Sequence, residues 1–262
     1  MLRHALAGPR SRRCTRQSSA FPRMTGLEIF SRFYDREAPL QIVDAGAHVG
    51  NSVASFLELF PRATVHAFEP APANYQILAS RFEGHPSVRV HQAALGAQKE
   101  TVQLHLNNYD ATHSVIPIAP DEIARWADAA DIRSVGQVEV QQVALDGYLA
   151  EQNLSRLDIL KLDIQGGELS ALRGAAAALS AHRIDCVFSE VEFRAIYAGQ
   201  PLAWDLHRFF ASHAYEFVNF VCPKVTDAGL LSWADAVYVN RTLWSRLRAA
   251  HLAGKMRSPD QI

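Results

Sequence analysis

Cysteine is scarce in this sequence of 262 residues and forms no pattern typical of a disulfide scaffold or a zinc site. The three cysteines, Cys14, Cys186 and Cys222, lie far apart, and none belongs to a CxxC pair. Any run of about 18 apolar residues is also missing, which excludes a membrane-spanning helix and a membrane partner. Both absences favour a folded domain in the reducing cytoplasm.

A strong net charge is missing as well, because 26 Lys and Arg oppose 27 Asp and Glu. Residues 1–26 carry six arginines and no acid, which leaves 20 basic against 27 acidic residues in the remainder. A nucleic-acid-binding domain needs a basic stripe, so nucleic acid is not an expected partner. We predict that residues 1–26 form a disordered basic leader, with an organellar targeting peptide as the alternative.

From residue 41 onward, short apolar runs alternate with segments of helical periodicity. This rhythm predicts an α/β fold with a mostly parallel sheet and helices on both faces. We assign residues 27–250 to one domain and residues 251–262 to a flexible tail. The predicted strands cover residues 41–44, 64–69, 87–91, 157–163, 184–190, 215–221 and 234–240, and longer helices are expected over 52–60, 72–82, 167–179 and 202–212.

Residues 100–145 interrupt the alternation. Two segments, 101–106 and 137–144, alternate like half-buried strands, with a helical piece near 121–130 between them. We interpret the stretch as an insertion between the third and fourth parallel strands. Such an insertion lies near the carboxyl ends of the strands, where open α/β sheets bind ligands.

Two motifs indicate a nucleoside cofactor. The first predicted strand ends at Asp44 and is followed by Gly46, Gly50 and then Asn51 at the start of a helix. Glu69 ends the second strand, where a carboxylate can accept hydrogen bonds from the two hydroxyls of a ribose. The third glycine of a dinucleotide fingerprint is missing, which disfavours a nicotinamide oxidoreductase and favours a nucleoside without phosphates. S-adenosylmethionine, with its positive sulfonium and ammonium groups, suits this acidic edge.

A third motif covers residues 161–168. Lys161 and Asp163 share one face of the fourth strand because side chains alternate with a period of two. Asp163 would then face the methyl donor, and the structural alternative is a buried Lys–Asp pair.

The order of these motifs resembles the FkbM family of S-adenosylmethionine-dependent methyltransferases. The matching segments are DAGAHVG at 44–50, AFEP at 67–70, ALG at 94–96, LD at 145–146, KLDIQGGE at 161–168 and LRG at 172–174. The sequence departs from the family pattern at Gln165, where glutamate is usual, and at His48, where asparagine is common.

The resemblance implies a class I methyltransferase (Rossmann-like) fold with a seven-stranded, mostly parallel sheet. It implies S-adenosylmethionine as the methyl donor and a hydroxyl of a sugar or natural-product-like small molecule as the acceptor. The cofactor-binding residues would be Asp44, Gly46, Gly50 and Asn51 of the first turn, Glu69 at the ribose and the backbone at Ala93 and Ala94 beside the adenine.

Asp163 and Glu190 are the expected catalytic residues, because general-base help is needed to remove the proton of a hydroxyl acceptor. Glu192 and His113 are further candidates for the base. No metal is expected, although Asp163 and Glu190 at neighbouring strand ends would also suit Mg²⁺. The alternative to an enzyme is a catalytically silent nucleoside-binding protein on the same fold.

Overall fold

The computed structural model describes residues 26–123, 132–226 and 229–252. The expected leader and tail therefore lie almost wholly outside the described residues. The strands are β1 (Gln41–Ala45), β2 (Thr64–Phe68), β3 (Val88–His91), β4 (Ala94–Leu95), β5 (Glu100–Asn107), β6 (Ser134–Val143), β7 (Leu157–Leu162), β8 (Ile184–Glu192), β9 (Tyr215–Val225) and β10 (Leu231–Asn240). The helices are α1 (Asn51–Leu59), α2 (Pro72–Arg81), α3 (Pro120–Ile123), α4 (Leu145–Glu151), α5 (Glu168–Arg173), α6 (Ala176–Ser180), α7 (Ala203–Ser212) and α8 (Arg241–Leu252).

Seven strands form one sheet in the order β3-β2-β1-β7-β8-β10-β9. The five strands from β3 to β8 pair in parallel, and β10 runs antiparallel to both of its neighbours. This arrangement confirms the predicted seven-stranded, mostly parallel sheet. The chain order reverses between β1 and β7, so the carboxyl ends of these strands border the crevice where such sheets bind ligands.

Helices cover both faces of the sheet because its strands are apolar on both sides. Val43 of β1 packs in a core with α4, α5, α6 and α7, whereas Ile42 packs in a second core with α1, α2 and α8. Strand side chains point alternately to opposite faces, so one short apolar run contributes to both cores.

The predicted insertion forms a second sheet in the order β4-β6-β5, with a small core that includes Leu104 and Val140. A 3-10 helix, Asp110–Thr112, follows β5. Of the helical piece predicted near 121–130, the described part is α3, and residues 124–131 lie outside the described residues.

Several predicted boundaries are wrong, since β9 continues to Val225 instead of residue 221 and β10 begins at Leu231 instead of residue 234. The helix expected over 167–179 is two helices, α5 and α6, separated at Gly174 and Ala175. A Cβ atom at Gly174 would lie 2.0 Å from the carbonyl oxygen of Gly96, so the chain is in backbone contact with the ALG segment where the helix breaks. Strand β8 also continues two residues beyond Glu190, because Val191 and Glu192 pair with β10.

Candidate functional site

A cavity of about 400 Å³ opens at the carboxyl ends of β1, β2, β7 and β8 and is partly covered by the insertion. Its volume lies within the range of small-molecule sites. Six of the eight predicted site residues line it, namely Gly46, Asn51, Glu69, Ala94, Asp163 and Glu190. The sheet topology therefore brings together residues that are up to 144 positions apart in the sequence.

The turn after β1 requires glycine at Gly46. Its φ of 76° is in the left-handed region, and an added Cβ atom would lie 1.8 Å from the carbonyl oxygen of Asp163. The missing side chain thus lets the first and third motifs touch through their backbones. The backbone N–H groups of Gly46 and Ala47 both donate to the carbonyl of Phe68, each at 3.0 Å, which ties this turn to β2.

Gly50 and Asp44 lie behind the cavity wall rather than on it. Gly50 also has a positive φ, and a Cβ atom there would lie 2.5 Å from the ring of Phe82, so its role is to let α2 pack closely. Asp44 is fully buried; Ser52 Oγ donates to its carboxylate, and Lys161 Nζ lies 3.1 Å from its Oδ1. Any effect of Asp44 on a cofactor would act through Ser52 and Lys161, which do line the cavity.

Lys161 is buried between two carboxylates. Its Nζ lies 3.1 Å from Asp44 and 3.5 Å from Asp163, so the lysine joins both acids. Burial lowers the pKa of Lys161, but the two carboxylates outweigh burial and raise it above the ordinary value. The lysine is therefore charged at neutral pH.

Glu69 presents a carboxylate whose orientation is set by the backbone. Its Oε2 accepts the N–H of His48 and its Oε1 accepts the N–H of Ala71, each at 2.9 Å. Burial raises the pKa of Glu69, and these two hydrogen bonds partly oppose that shift. A carboxylate offers about four acceptor positions, so acceptor capacity is left for hydroxyl groups in the cavity.

The side of the cavity next to Glu69 is apolar. Ala93, Ala94 and Leu95 contribute one wall, and Phe68 stacks on His91 with ring centroids 4.7 Å apart. Asn51 lies at the rim, where its Oδ1 accepts a hydrogen bond of 2.8 Å from Arg81. An apolar wall of this kind suits the face of a flat heteroaromatic base.

The turn after β7 holds the two predicted catalytic carboxylates together. Gln165 Nε2 donates to Asp163 Oδ1 at 3.2 Å and to Glu190 Oε2 at 2.9 Å. The hydroxyl of Tyr197 lies 2.9 Å from Gln165 Oε1 and 2.9 Å from the carbonyl oxygen of Thr112. Because amide hydrogens occupy the space between Asp163 and Glu190, this arrangement disfavours the Mg²⁺ alternative.

The other two candidate bases are less well placed. His113 lines the cavity, but its Nδ1 accepts the N–H of Asn107 at 3.0 Å, and burial lowers its pKa. Glu192 is buried outside the cavity lining, and burial together with Glu168 and Asp163 raises its pKa to about 8. Of the four candidate bases, Asp163 and Glu190 are therefore the carboxyl groups that line the cavity.

His48 connects the turn after β1 to the insertion. His48 Nε2 lies 3.1 Å from Asp110 Oδ2, and His48 adopts a φ of 50°, unusual for a residue with a side chain. Partial burial raises the pKa of Asp110, but the hydrogen bond and charge of His48 outweigh it and lower the pKa below its usual value. A second link is the hydrogen bond of 2.7 Å from Ser114 Oγ to the carbonyl of Gln165.

Several of these residues were not predicted as site residues. Gln165 and His48 stand out in the sequence because they are the two departures from the family pattern. Nothing in the sequence indicates which residues they contact in the fold. Ser52, Asp110 and Ser114 carry no such signal, since their contacts span 8 to 62 positions of sequence.

Within the described part of the chain, no group of three or more His, Cys, Asp or Glu side chains is arranged to hold a metal ion. Among the helices of the same described residues, none has the length and apolar character needed to cross a membrane.

Residues 44–217 match the model of the methyltransferase FkbM domain, which spans all the motifs of the cavity. The chain belongs to the FkbM methyltransferase family. This assignment confirms the family resemblance of the motifs, and the fold is the class I methyltransferase fold expected from it.

Curated relatives of this FkbM family member include Methyltransferase 1 of Beauveria bassiana, 30% identical over 144 residues that cover 51% of this chain and 57% of the relative. The 2-O-methyltransferase NoeI of Sinorhizobium fredii is 23% identical over 162 residues, 61% of this chain and 66% of the relative. The alignments thus span less than two thirds of the relatives' lengths.

Solved structures similar to this FkbM family member include fibrillarin of Aeropyrum pernix with bound S-adenosyl-L-methionine. It has a TM-score of 0.41 and 12% identity, over 79% of this chain and 69% of that one. Magnesium protoporphyrin IX methyltransferase of Synechocystis has a TM-score of 0.42 and 9% identity, over 79% and 72%.

Proposed function

We propose that this protein is an S-adenosylmethionine-dependent methyltransferase that methylates a hydroxyl oxygen of a small molecule, of the sugar or natural-product type. The proposal rests on the cavity, which is lined by Glu69 and by the pair of Asp163 and Glu190. Membership of the FkbM family and the name of one relative, a 2-O-methyltransferase, support the reaction and the oxygen acceptor.

The residues present fit this cofactor. Glu69 would hold the ribose hydroxyls, the apolar wall at Ala93 and Ala94 would border the adenine, and Gly46 and Asn51 would border the methionine portion. The carboxylates of Glu69, Asp163 and Glu190 suit a ligand with two positive groups. A nicotinamide dinucleotide fits less well, since its pyrophosphate would meet these carboxylates instead of a glycine-rich cradle.

When bound, the cofactor supplies a methyl group on a positively charged sulfur, which leaves with the electron pair of the broken carbon–sulfur bond. The task of the protein is to align the acceptor oxygen, exclude water and take the proton of the hydroxyl. Asp163, which follows β7, would orient the acceptor, and Glu190 of the neighbouring strand β8 would accept the proton. General-base help of this kind contributes about 10²–10⁴-fold.

The acceptor is expected to be neutral or cationic. Asp163 and Glu190 line the cavity with acidic side chains, and the charge of Lys161 is balanced by Asp44 and Asp163. An acceptor with phosphate groups, including nucleic acid, would meet this negative wall. We propose the cytoplasm as the compartment of this activity, because the sequence has three cysteines and none of them belongs to a CxxC pair.

Mass spectrometry on an acceptor panel tests the proposal. The purified protein is incubated with S-adenosylmethionine and with glycosides, polyols and polyphenols, and products are searched for the mass of one added methyl group. Asp163→Asn should lower turnover at least tenfold with little change in cofactor affinity. Tight cofactor binding without a methylated product on any acceptor would instead support the silent nucleoside-binding protein.

A further inference from the structure

The amide of Gln165 lies between two carboxylates that would otherwise repel each other. Its Nε2 is 3.2 Å from Asp163 Oδ1 and 2.9 Å from Glu190 Oε2. A primary amide has two N–H donors, so one side chain can bind both acids at once. Gln165 thereby links the turn after β7 to the end of the neighbouring strand β8.

The orientation of this amide is set by its surroundings. Tyr197, which is buried, places its hydroxyl 2.9 Å from Gln165 Oε1, and Ser114 Oγ donates to the Gln165 carbonyl at 2.7 Å. The φ of Gln165 is 55°, a conformation that a residue with a side chain adopts when its surroundings impose it. A flipped amide would put its oxygen against two carboxylates, so the donors must face Asp163 and Glu190.

Glu190 stands in a strongly acidic environment. Burial and the neighbouring carboxylates raise its pKa well above the ordinary value. The N–H of Gln165 opposes this shift, because a hydrogen bond to an ionised carboxylate stabilises its charged form. The titratable groups that face Glu190 from the surrounding elements are Asp163 and Lys161 of the β7 end, Glu168 of α5, Glu192 of β8, Asp235 of β10, Tyr197 of the loop after β8 and His113 of the insertion.

A glutamate at position 165, the usual residue of the family motif, would bring a third carboxylate to the same point. It would remove both N–H donors and add a negative charge next to Asp163 and Glu190. Glutamine and glutamate are similar in size, but only glutamine donates hydrogen bonds here. The choice between them therefore affects the pKa of Glu190.

We infer that Gln165 is a positioning residue that donates a hydrogen bond to one oxygen of Glu190, fixes the orientation of that carboxyl group and leaves its second oxygen to accept the proton of the methyl acceptor. This inference rests on the proposed function. In the step, the proton would pass from the acceptor hydroxyl to Oε1 of Glu190, and the electron pair left on the acceptor oxygen would form the new bond to the methyl carbon, while the electron pair of the broken carbon–sulfur bond would stay on the sulfur. The proton then passes from Glu190 to water.

Carboxyl titration by NMR tests the inference without any turnover. The protein is labelled with ¹³C at glutamate carboxyls, without cofactor or acceptor, and Glu190→Gln identifies the Glu190 signal. We expect the titration midpoint of Glu190 to rise by about one pH unit or more in Gln165→Glu, and by less in Gln165→Met, which loses the donors but adds no charge. The matched control is Gln141→Glu on the exposed face of β6, which should leave the midpoint unchanged.

The pH profile of kcat/KM provides the second readout. Its acidic limb should move to higher pH in Gln165→Glu and Gln165→Met by the same amount as the NMR midpoint, since loss of folding alone would lower the plateau without moving the limb. A Glu190 midpoint within about 0.3 pH unit of wild type in both variants would overturn the inference. A wild-type protein that methylates no acceptor would refute the proposed function, whereas the NMR midpoints would still report on Gln165.

Discussion

Lys161 and Asp44 form a buried ion pair, with Nζ 3.1 Å from Oδ1, that joins β7 to β1 in the middle of the sheet. Asp44 is fully buried, and Lys161 is 6% exposed. The pair connects the acid of the first motif to the lysine of the third. It explains why Asp44 belongs to the core of the domain while Lys161 lines the cavity.

Lys161→Met should destabilise the protein strongly, because it leaves Asp44 charged and unpaired in the interior. We expect the free energy of unfolding to fall by about 3–5 kcal/mol in urea denaturation. The double variant Lys161→Met with Asp44→Asn should recover part of that loss. Lys99→Met is the control, since Lys99 makes an exposed ion pair of 3.6 Å with Glu151. A loss below about 1 kcal/mol, typical of a surface pair, would contradict the burial of this pair.

Gly46→Ala should disrupt the site through crowding as well as backbone strain. Both Gly46 and Gly84 have a positive φ, but a Cβ atom at Gly46 would lie 1.8 Å from a carbonyl oxygen, while nothing lies within 4 Å of one at Gly84. Gly84→Ala thus measures the left-handed conformation alone, at about 1–2 kcal/mol. Gly46→Ala should cost clearly more in the same unfolding assay and weaken cofactor binding. Equal losses of stability in the two variants would show that the turn at Gly46 is not in contact with the backbone of Asp163.

The contact of His48 with Asp110 should hold the insertion over the cavity. Asp110→Ala should increase hydrogen exchange several-fold at the amides of residues 110–114, with Asp121→Ala as a control on the same insertion. The pKa of Asp110 is lowered in the folded state, so its contribution is present above the usual aspartate range and is lost as pH falls through the lowered value. The difference between wild type and Asp110→Ala should therefore vanish in strong acid. If the exchange rates agree at neutral pH, the contact does not hold the segment.

Glu168 should make the stability depend on pH. Its Oε1 accepts the N–H groups of Ile164 and Gly166, and burial raises its pKa to about 7. A carboxyl whose folded-state pKa is raised binds its proton more tightly in the folded state, so stability falls as pH rises from about 4.5 to about 7. Glu168→Gln should remove about 3 kcal/mol of this dependence and be more stable than wild type at pH 8. Glu58→Gln, at an exposed position of α1, should leave the pH dependence as it is.

The fold could be predicted well from local patterns. Apolar runs marked the strands, and Asp44, Glu69 and Asp163 each followed or ended one, which placed them at one edge of a parallel sheet. The helix break at Gly174 could not be predicted, because it accompanies a contact with Gly96 across 78 positions of sequence. Local propensity alone favours one continuous helix there.

The site could be predicted only in part. Glu69, Asp163 and Glu190 line the cavity as expected, but Asp44 lies behind its wall because Lys161 and Ser52 bind its carboxylate. The partners of His48 and Gln165 come from the insertion and from the loop after β8. Contacts of this kind depend on the path by which long segments of the chain return to the sheet. Sequence periodicity carries no information about that path.

Calorimetric titration tests most directly whether the cavity binds S-adenosylmethionine through Glu69. Wild type should bind S-adenosylmethionine and its demethylated product S-adenosylhomocysteine, and should not bind NAD. Glu69→Ala should weaken S-adenosylmethionine binding more than tenfold, because hydrogen bonds to a charged group contribute about 1.5–3 kcal/mol each. Glu83→Ala, at an exposed position after α2, should bind like wild type. Tight binding of NAD without binding of S-adenosylmethionine, or unchanged affinity in Glu69→Ala, would contradict the account.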